Sequence, residues 1–181
     1  RIAVCKLRVC GDYRMVNTQM QTMAPNLPTG THQLELASGN MWHWESDSVA
    51  CYNSFSVAKG ISREALAVWT PAGLVQPTVL PFGQKNSGTE AQGPYRIAAQ
   101  NLRNTSNYVD DWLGYSNALP DLCDRFEEFL EACRANNITL NTNKTRFGCA
   151  NAQFFGFTVS QAGTRLSDEH LDPLRTIVPP V

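Results

Sequence analysis

The chain has 181 residues, 43% of them hydrophobic, which is enough to bury the core of one domain or two small interleaved ones and excludes a disordered chain. Fifteen Lys and Arg against sixteen Asp and Glu leave a formal charge of −1, so the chain as a whole has no basic signature for nucleic acid, and phosphate contacts must come from local clusters. Six cysteines without a C-x-x-C pair and three distant histidines give no zinc site and fit the buried reduced thiols of an intracellular protein, while no signal peptide is readable and no apolar run approaches the roughly 18 residues of a membrane span.

In chain order, residues 2–10 alternate loosely through Ile2, Val4, Leu7 and Val9 and predict a strand, followed by Asp12-Tyr13-Arg14 and a polar exit loop as far as Pro25 and Pro28. Residues 31–37 predict a short helix, and residues 41–44 a strand that delivers Asp47 to its C-terminal end. Residues 49–57 and 65–70 read as further strands, with Pro71-Ala72-Gly73 as a turn. Helical composition over residues 88–102 is interrupted by Gly93-Pro94, so that helix is expected to begin near or after the pair. The clearest helix covers residues 121–136, because Leu122, Phe126, Phe129, Leu130 and Cys133 recur on one face, and Asn136-Asn137 closes it. Its Asp121, Asp124, Glu127, Glu128 and Glu131 read as a solvated acidic face. Residues 138–140 start a strand and residues 154–159 form another. Gln161-Ala162-Gly163 turns that strand onto residues 164–166, and Ser167 caps a short helix through Arg175 before Pro179-Pro180. A start at Arg1, partway through a strand, reads as a fragment of a longer polyprotein or an incomplete gene model.

The most informative segment is NYVDDWLGYS. Neighbouring side chains on a strand face opposite ways, so Asp110 and Asp111 reach one site only where pairing breaks at a hairpin tip, with Trp112-Leu113-Gly114-Tyr115 as the return strand. Paired carboxylates there suit divalent-metal phosphoryl transfer; the plain alternative is a solvated Asp-rich turn. The ordered set LRVCGDYRMVN, DSVACYNSF, VWTPAG, LPFGQKNSG, YVDD, LNTNKTRFG and FFGFTVSQAG resembles the reverse transcriptase of gypsy-type LTR retrotransposons across essentially the whole chain, and order and spacing carry the match.

That resemblance implies an α+β right-hand polymerase with an antiparallel sheet packed on helices. Fingers would take residues 1–22 and 56–86, palm 23–55 and 87–168, and residues 169–181 would start a linker toward a thumb. It implies Asp47, Asp110 and Asp111 as ligands of two Mg²⁺ ions, with Mn²⁺ as a substitute, and Lys144 as general acid to the pyrophosphate leaving group. Arg8 would contact the triphosphate and Arg14 would be structural. Tyr52, five residues after Asp47, would sit under the sugar and exclude a 2′-hydroxyl. Phe82, Gly83 and Tyr108 would line the nucleotide pocket, and Phe154, Phe155 and Gly156, with Phe157, would form the hairpin that grips the primer. Arg8, Arg14, Lys59, Arg63, Lys85, Lys144 and Arg146 fall in segments placed around the cleft. Read alone, Asp47 is equally a turn residue, Tyr52 a core aromatic, and Arg8 and Lys144 solvated cations. Ser54, Gly11 and Thr89-Glu90 depart from the family pattern, as decay of the element would.

The expected partners are an RNA or DNA template with its primer, deoxynucleoside triphosphates, and the thumb and RNase H domains of the same polyprotein. No membrane is implied. The expected location is intracellular, in a cytoplasmic particle or the nucleus, and not secreted. The competing readings are a catalytically silent remnant with weak nucleic-acid binding and a metal-dependent nuclease using the same carboxylates.

Overall fold

A computed structural model of the chain describes residues 10–24, 29–49 and 51–175. Arg8 and almost all of the strand expected over residues 2–10 lie outside the described residues. In chain order the elements are α1 (Arg14–Gln19), α2 (Gly30–Ala37), β1 (Trp42–Asp47), a 3-10 turn (Cys51–Ser54), α3 (Ile61–Ala65), β2 (Val68–Thr70), β3 (Gly73–Val75), α4 (Ser87–Ala99), β4 (Thr105–Tyr108), β5 (Asp111–Ser116), α5 (Leu119–Ala135), β6 (Arg146–Cys149), β7 (Asn151–Phe154), β8 (Phe157–Ser160), β9 (Gly163–Leu166) and α6 (Asp168–Arg175). They fall into two compact units, Arg1–Pro25 with Ala50–Ala91 and Asn26–Val49 with Gln92–Val181. This division differs from the expected partition in where residues 23–25, 50–55 and 87–91 fall.

The second unit is built on an antiparallel sheet of order β4-β5-β1-β6. Alternation along β1 and β5 sorts the side chains onto two faces. Trp44 and Trp112 leave one face and meet α5, where Phe129 stacks on Trp44 with centroids 4.4 Å apart and lies 5.0 Å from Trp112. Gly114 pairs with Trp44 across the sheet, and a Cβ there would stand 2.0 Å from the indole, so the missing side chain is what admits the tryptophan. The other face carries Leu113 and Tyr115, which join Leu34 and Ala37 of α2 with Ala152, Phe154 and Val159 in one buried cluster. Helix α5 ends as its Asn136-Asn137 pair predicts. Asn137 is left-handed at φ 54, and Asn137 and Ile138 donate to the carbonyls of Arg134 and Cys133 at 3.3 and 2.9 Å, closing a Schellman motif. Its acidic face is partly tied down, since Arg125 bonds Asp121 at 2.7 Å and Glu128 at 3.0 Å.

Several local expectations are corrected. Helix α4 runs through Gly93-Pro94, because Ala91, Gln92, Tyr95 and Ala98 form a buried stripe whose packing outweighs one missing backbone bond. Of the strand expected over residues 49–57, the described residues keep only a bridge from Ser56 to Val79, and Cys51–Ser54 wind into a 3-10 turn, in line with the turn chemistry of Asn53 and Ser54. Within residues 65–70 only Val68–Thr70 is strand, after the short helix α3 that starts at left-handed Gly60. The polar exit loop contains α1, and residues 138–140 make a single bridge, Ser48 to Leu140. Residues 154–159 are a hairpin rather than one strand, because Phe155 and Gly156 both take positive φ. Of the cysteines, Cys51 and Cys133 are buried and burial pushes the Cys133 thiol up to about 12, but Cys10 and Cys123 are exposed. No described helix is long and apolar enough to cross a membrane.

Candidate active site

Strands β4 and β5 join through Val109 and Asp110, with Tyr108 paired to Asp111 across the turn. On its other side β5 pairs with β1 so that Asp47 stands opposite Asp111, and the next residue, Ser48, donates its N–H to the Asp110 carbonyl at 2.8 Å. Cross-strand partners share a face, so Asp47 and Asp111 leave the sheet together beside the turn that holds Asp110. The charge is concentrated: burial first, then Asp110 and Asp47, push the Asp111 carboxyl up to about 6, against the opposing pull of Lys144.

Lys144 reaches this cluster from the loop before β6. Asn141 donates to the Asp47 carbonyl at 2.8 Å, and the Ser46 and Thr145 hydroxyls lie 2.9 Å apart, so the loop is stitched along β1. The Lys144 ammonium donates to Asp47 Oδ1 at 2.8 Å, and that bond, with the neighbouring carboxylates, holds its pKa above the ordinary lysine range. Among the described residues no three His, Cys, Asp or Glu side chains are drawn together closely enough to hold a metal ion unaided. The donor set nonetheless fits a hard divalent cation, being all carboxylate oxygen with a repulsion that such an ion relieves.

The turn itself is strained and braced. Val109, a β-branched residue, sits at φ 53. Its N–H donates to Gln92 Oε1 at 2.6 Å, Gln92 Nε2 donates to Asn107 Oδ1 at 2.7 Å, and Asn107 Nδ2 spans the turn to the carbonyls of Val109 and Asp111 at 3.1 Å each. Sequence reasoning alone misses Gln92 and Asn107 as functional residues. A signal exists for Asn107 in the unusual polarity of the strand entering YVDD, and it resolves as a buried amide satisfied by the turn.

Tyr108 and Phe155 pack with centroids 4.2 Å apart, so the YVDD hairpin touches the β7–β8 hairpin directly. Phe154 is a core residue at 1% exposure, whereas Phe155 and Gly156 form the turn and His170 abuts Gly156. A cleft of about 370 Å³ opens along Asp111, Gln153, Phe155 and Gly156, with Ser167 and His170 on its wall. Glu45, also unmarked by the sequence, bonds both Arg146 and the backbone of Gln153.

In the first unit Tyr52 and Phe82 pack with centroids 5.0 Å apart, and Gly83 takes φ 90. Asn17 accepts from the Lys85 N–H at 2.8 Å and donates to the Gly83 carbonyl at 2.9 Å, which fixes the loop that carries Phe82 and Gly83. Three of the basic residues expected around a cleft have protein partners here: Arg14 pairs with Asp12 at 2.6 Å, Arg63 bonds the Val57 carbonyl at 2.9 Å, and Lys85 bonds the Met20 carbonyl at 3.2 Å.

Residues 4–159 match a protein family described as reverse transcriptase (RNA-dependent DNA polymerase). The transposon Tf2-3 polyprotein of Schizosaccharomyces pombe is 23% identical over 168 residues, 92% of this chain, and the Tf2-7 polyprotein of the same organism is 22% identical over the same length. The chain spans 12% of the length of these relatives. A foamy viral protease-reverse transcriptase in complex with double-stranded DNA superposes with a TM-score of 0.87 at 20% identity, covering 96% of this chain and 30% of that one. The complex of the foamy viral enzyme with an RNA/DNA hybrid superposes at 0.83 and 20% identity, covering 93% and 23%. The likeness establishes the fold as α+β, with the fingers–palm architecture of these enzymes.

Proposed function

The chain belongs to the reverse transcriptase (RNA-dependent DNA polymerase) family, and from that premise we propose that it is the fingers–palm part of a gypsy-type LTR retrotransposon polyprotein and catalyses RNA-directed DNA polymerisation. The observation that carries this reading is the pairing of Asp47 with Asp111 beside the turn that holds Asp110. In the reaction a primer 3′-hydroxyl attacks the α-phosphate of a deoxynucleoside triphosphate, and pyrophosphate leaves.

Asp47, Asp110 and Asp111 are the residues that would hold two Mg²⁺ ions, or Mn²⁺ in their place. When bound, such ions supply Lewis acidity at the hydroxyl and neutralise the triphosphate. Lys144, whose bond to Asp47 raises its pKa, is assigned to give a proton to the departing pyrophosphate. Tyr52 is assigned to sugar selectivity, Phe82, Gly83 and Tyr108 are each assigned to nucleotide binding, and Phe155 and Gly156 to seating the primer end, with Phe154 packed in the core behind them. Arg8, outside the described residues, keeps its assignment as a triphosphate contact from the motif alone. We assign fingers to residues 1–22 and 56–86, palm to 23–55 and 87–168, and the approach to a thumb to 169–181.

The partners we assign are a primed RNA or DNA template, in line with the nucleic-acid complexes of the foamy viral enzyme, together with deoxynucleoside triphosphates and the thumb and RNase H domains of the same polyprotein. The reaction takes place inside the cell. The test is primer extension on an RNA template by the polypeptide extended through those domains. Template-directed addition that stops when EDTA removes the cation is the expected result, and cation-supported cleavage of the nucleic acid without addition would replace this reading with a nuclease.

A further inference from the structure

We propose that Glu45 is a positioning residue, whose carboxylate clamps the β7–β8 hairpin to the strand that carries Asp47. Its functional meaning rests on the polymerase reading, in which that hairpin seats the primer end. Glu45 precedes Asp47 by two residues on β1, so both side chains leave one face of the sheet. Its side chain is 12% exposed, and both oxygens are engaged: Oε1 accepts from Arg146 Nη1 at 3.0 Å, and Oε2 accepts from the backbone N–H of Gln153.

The second bond is the informative one. In a two-residue hairpin the residues flanking the turn, here Phe154 and Phe157, exchange hydrogen bonds, and the pattern then alternates along the strands. Gln153 therefore occupies a position whose N–H points away from β8. Strand β7 is the edge of its sheet, so among the described residues this N–H finds no strand to receive it. A carboxylate is a strong acceptor for such a group, and Glu45 supplies one from β1. The Gln153 side chain does not compete, because its amide bonds the Thr158 hydroxyl at 3.0 Å. Arg146, 53% exposed, balances the buried charge from the solvent side. The hairpin is thus hung from the carboxylate-bearing strand at the residue next to Phe154.

Two readouts on the same variants test this. In the 181-residue chain, amide hydrogen exchange at Gln153 should quicken about ten- to a hundredfold in Glu45→Ala, the loss of one charge-assisted bond. It should stay within about threefold of wild type in Glu45→Gln, which keeps an acceptor oxygen, and in Arg146→Ala, which keeps the clamp. In the extended polypeptide, Glu45→Ala should raise KM for the primer–template about three- to tenfold and leave KM for the nucleotide unchanged, with Glu45→Gln restoring it. Unchanged protection of Gln153 in Glu45→Ala, Arg146→Ala as damaging as Glu45→Ala, or a shift in nucleotide KM instead would overturn the clamp. The exchange readout needs no catalysis, so a wild type that never extends a primer would count against the polymerase reading while exchange still decides the clamp.

Discussion

Two hairpins meet where Tyr108 packs on Phe155, and they make their turns in different ways. In the β7–β8 hairpin both central residues take positive φ, 50 at Phe155 and 77 at Gly156, and the second is a glycine with no Cβ to strain. In the β4–β5 hairpin the positive φ falls on Val109, the residue class least suited to it, and the conformation is held from outside by Gln92 and Asn107. One turn is relieved at its second position by its own glycine, which leaves Phe155 as its single strained residue. The other is over-determined by a buried amide network, which is the condition under which strain persists at a functional turn. The externally braced turn carries Asp110, and the glycine-relieved one forms the wall beside it.

The largest effect that would break this contrast is chemical. Asp110→Asn should lower nucleotide incorporation by about a thousandfold or more in the extended polypeptide, since it removes a cation ligand, without lowering the unfolding midpoint of the chain. Gel-resolved single-nucleotide addition and urea unfolding check both halves. Stability effects of opposite sign sharpen the comparison. Gly156→Ala should cost about 1–2 kcal/mol, because φ is 77 and a Cβ there stands 3.1 Å from the His170 ring. Val109→Gly should gain about 0.5 kcal/mol, because relief of the positive φ slightly exceeds the added freedom of the unfolded chain. Equal signs for the two in urea unfolding would erase the distinction.

A further effect concerns pH. The Asp111 carboxyl is raised to about 6 in the folded chain from the 3.8 of a solvated aspartate, so the folded state binds this proton more tightly. The group's contribution is therefore present below about pH 4 and is lost as pH rises to about 6, amounting to about 1–2 kcal/mol after solvent screening at this partly exposed site. Other groups titrate in the same range, so the measured quantity is the difference between wild type and Asp111→Asn. That difference should change with pH in this window and be flat above it.

Much of the fold and the site is legible in the sequence for physical reasons that can be named. Strand alternation lets Asp110 and Asp111 reach one site only at a turn, and it is the resemblance, with a strand predicted to end near Asp47, that implies the third carboxylate. The apolar stripe from Leu122 to Cys133 and the Asn136-Asn137 stop locate α5 to within two residues at either end. Residues that act through long-range partners are not legible. The carboxamide of Gln92 matters only because α4 continues through Gly93-Pro94, which local propensity argues against. Glu45 matters because β6 and β7 return to β1 about a hundred residues later, at Arg146 and Gln153, and nothing near Glu45 announces either partner. By its apolar pattern Phe154-Phe155-Gly156-Phe157 reads as a strand that conceals a two-residue turn at Phe155 and Gly156, and only the resemblance marks it as a hairpin.

Whether Asp47, Asp110 and Asp111 form one cation site is tested most directly on the chain itself, by titrating Mn²⁺ and following paramagnetic broadening of assigned amide signals. The expected result is that signals from Asp47, Ser48, Asp110 and Asp111 broaden first and together, before those of the acidic helix α5, and that Asp110→Asn abolishes this early set. Broadening that begins on α5, or that reaches Asp47 and Asp110 at separate concentrations, would contradict a shared site.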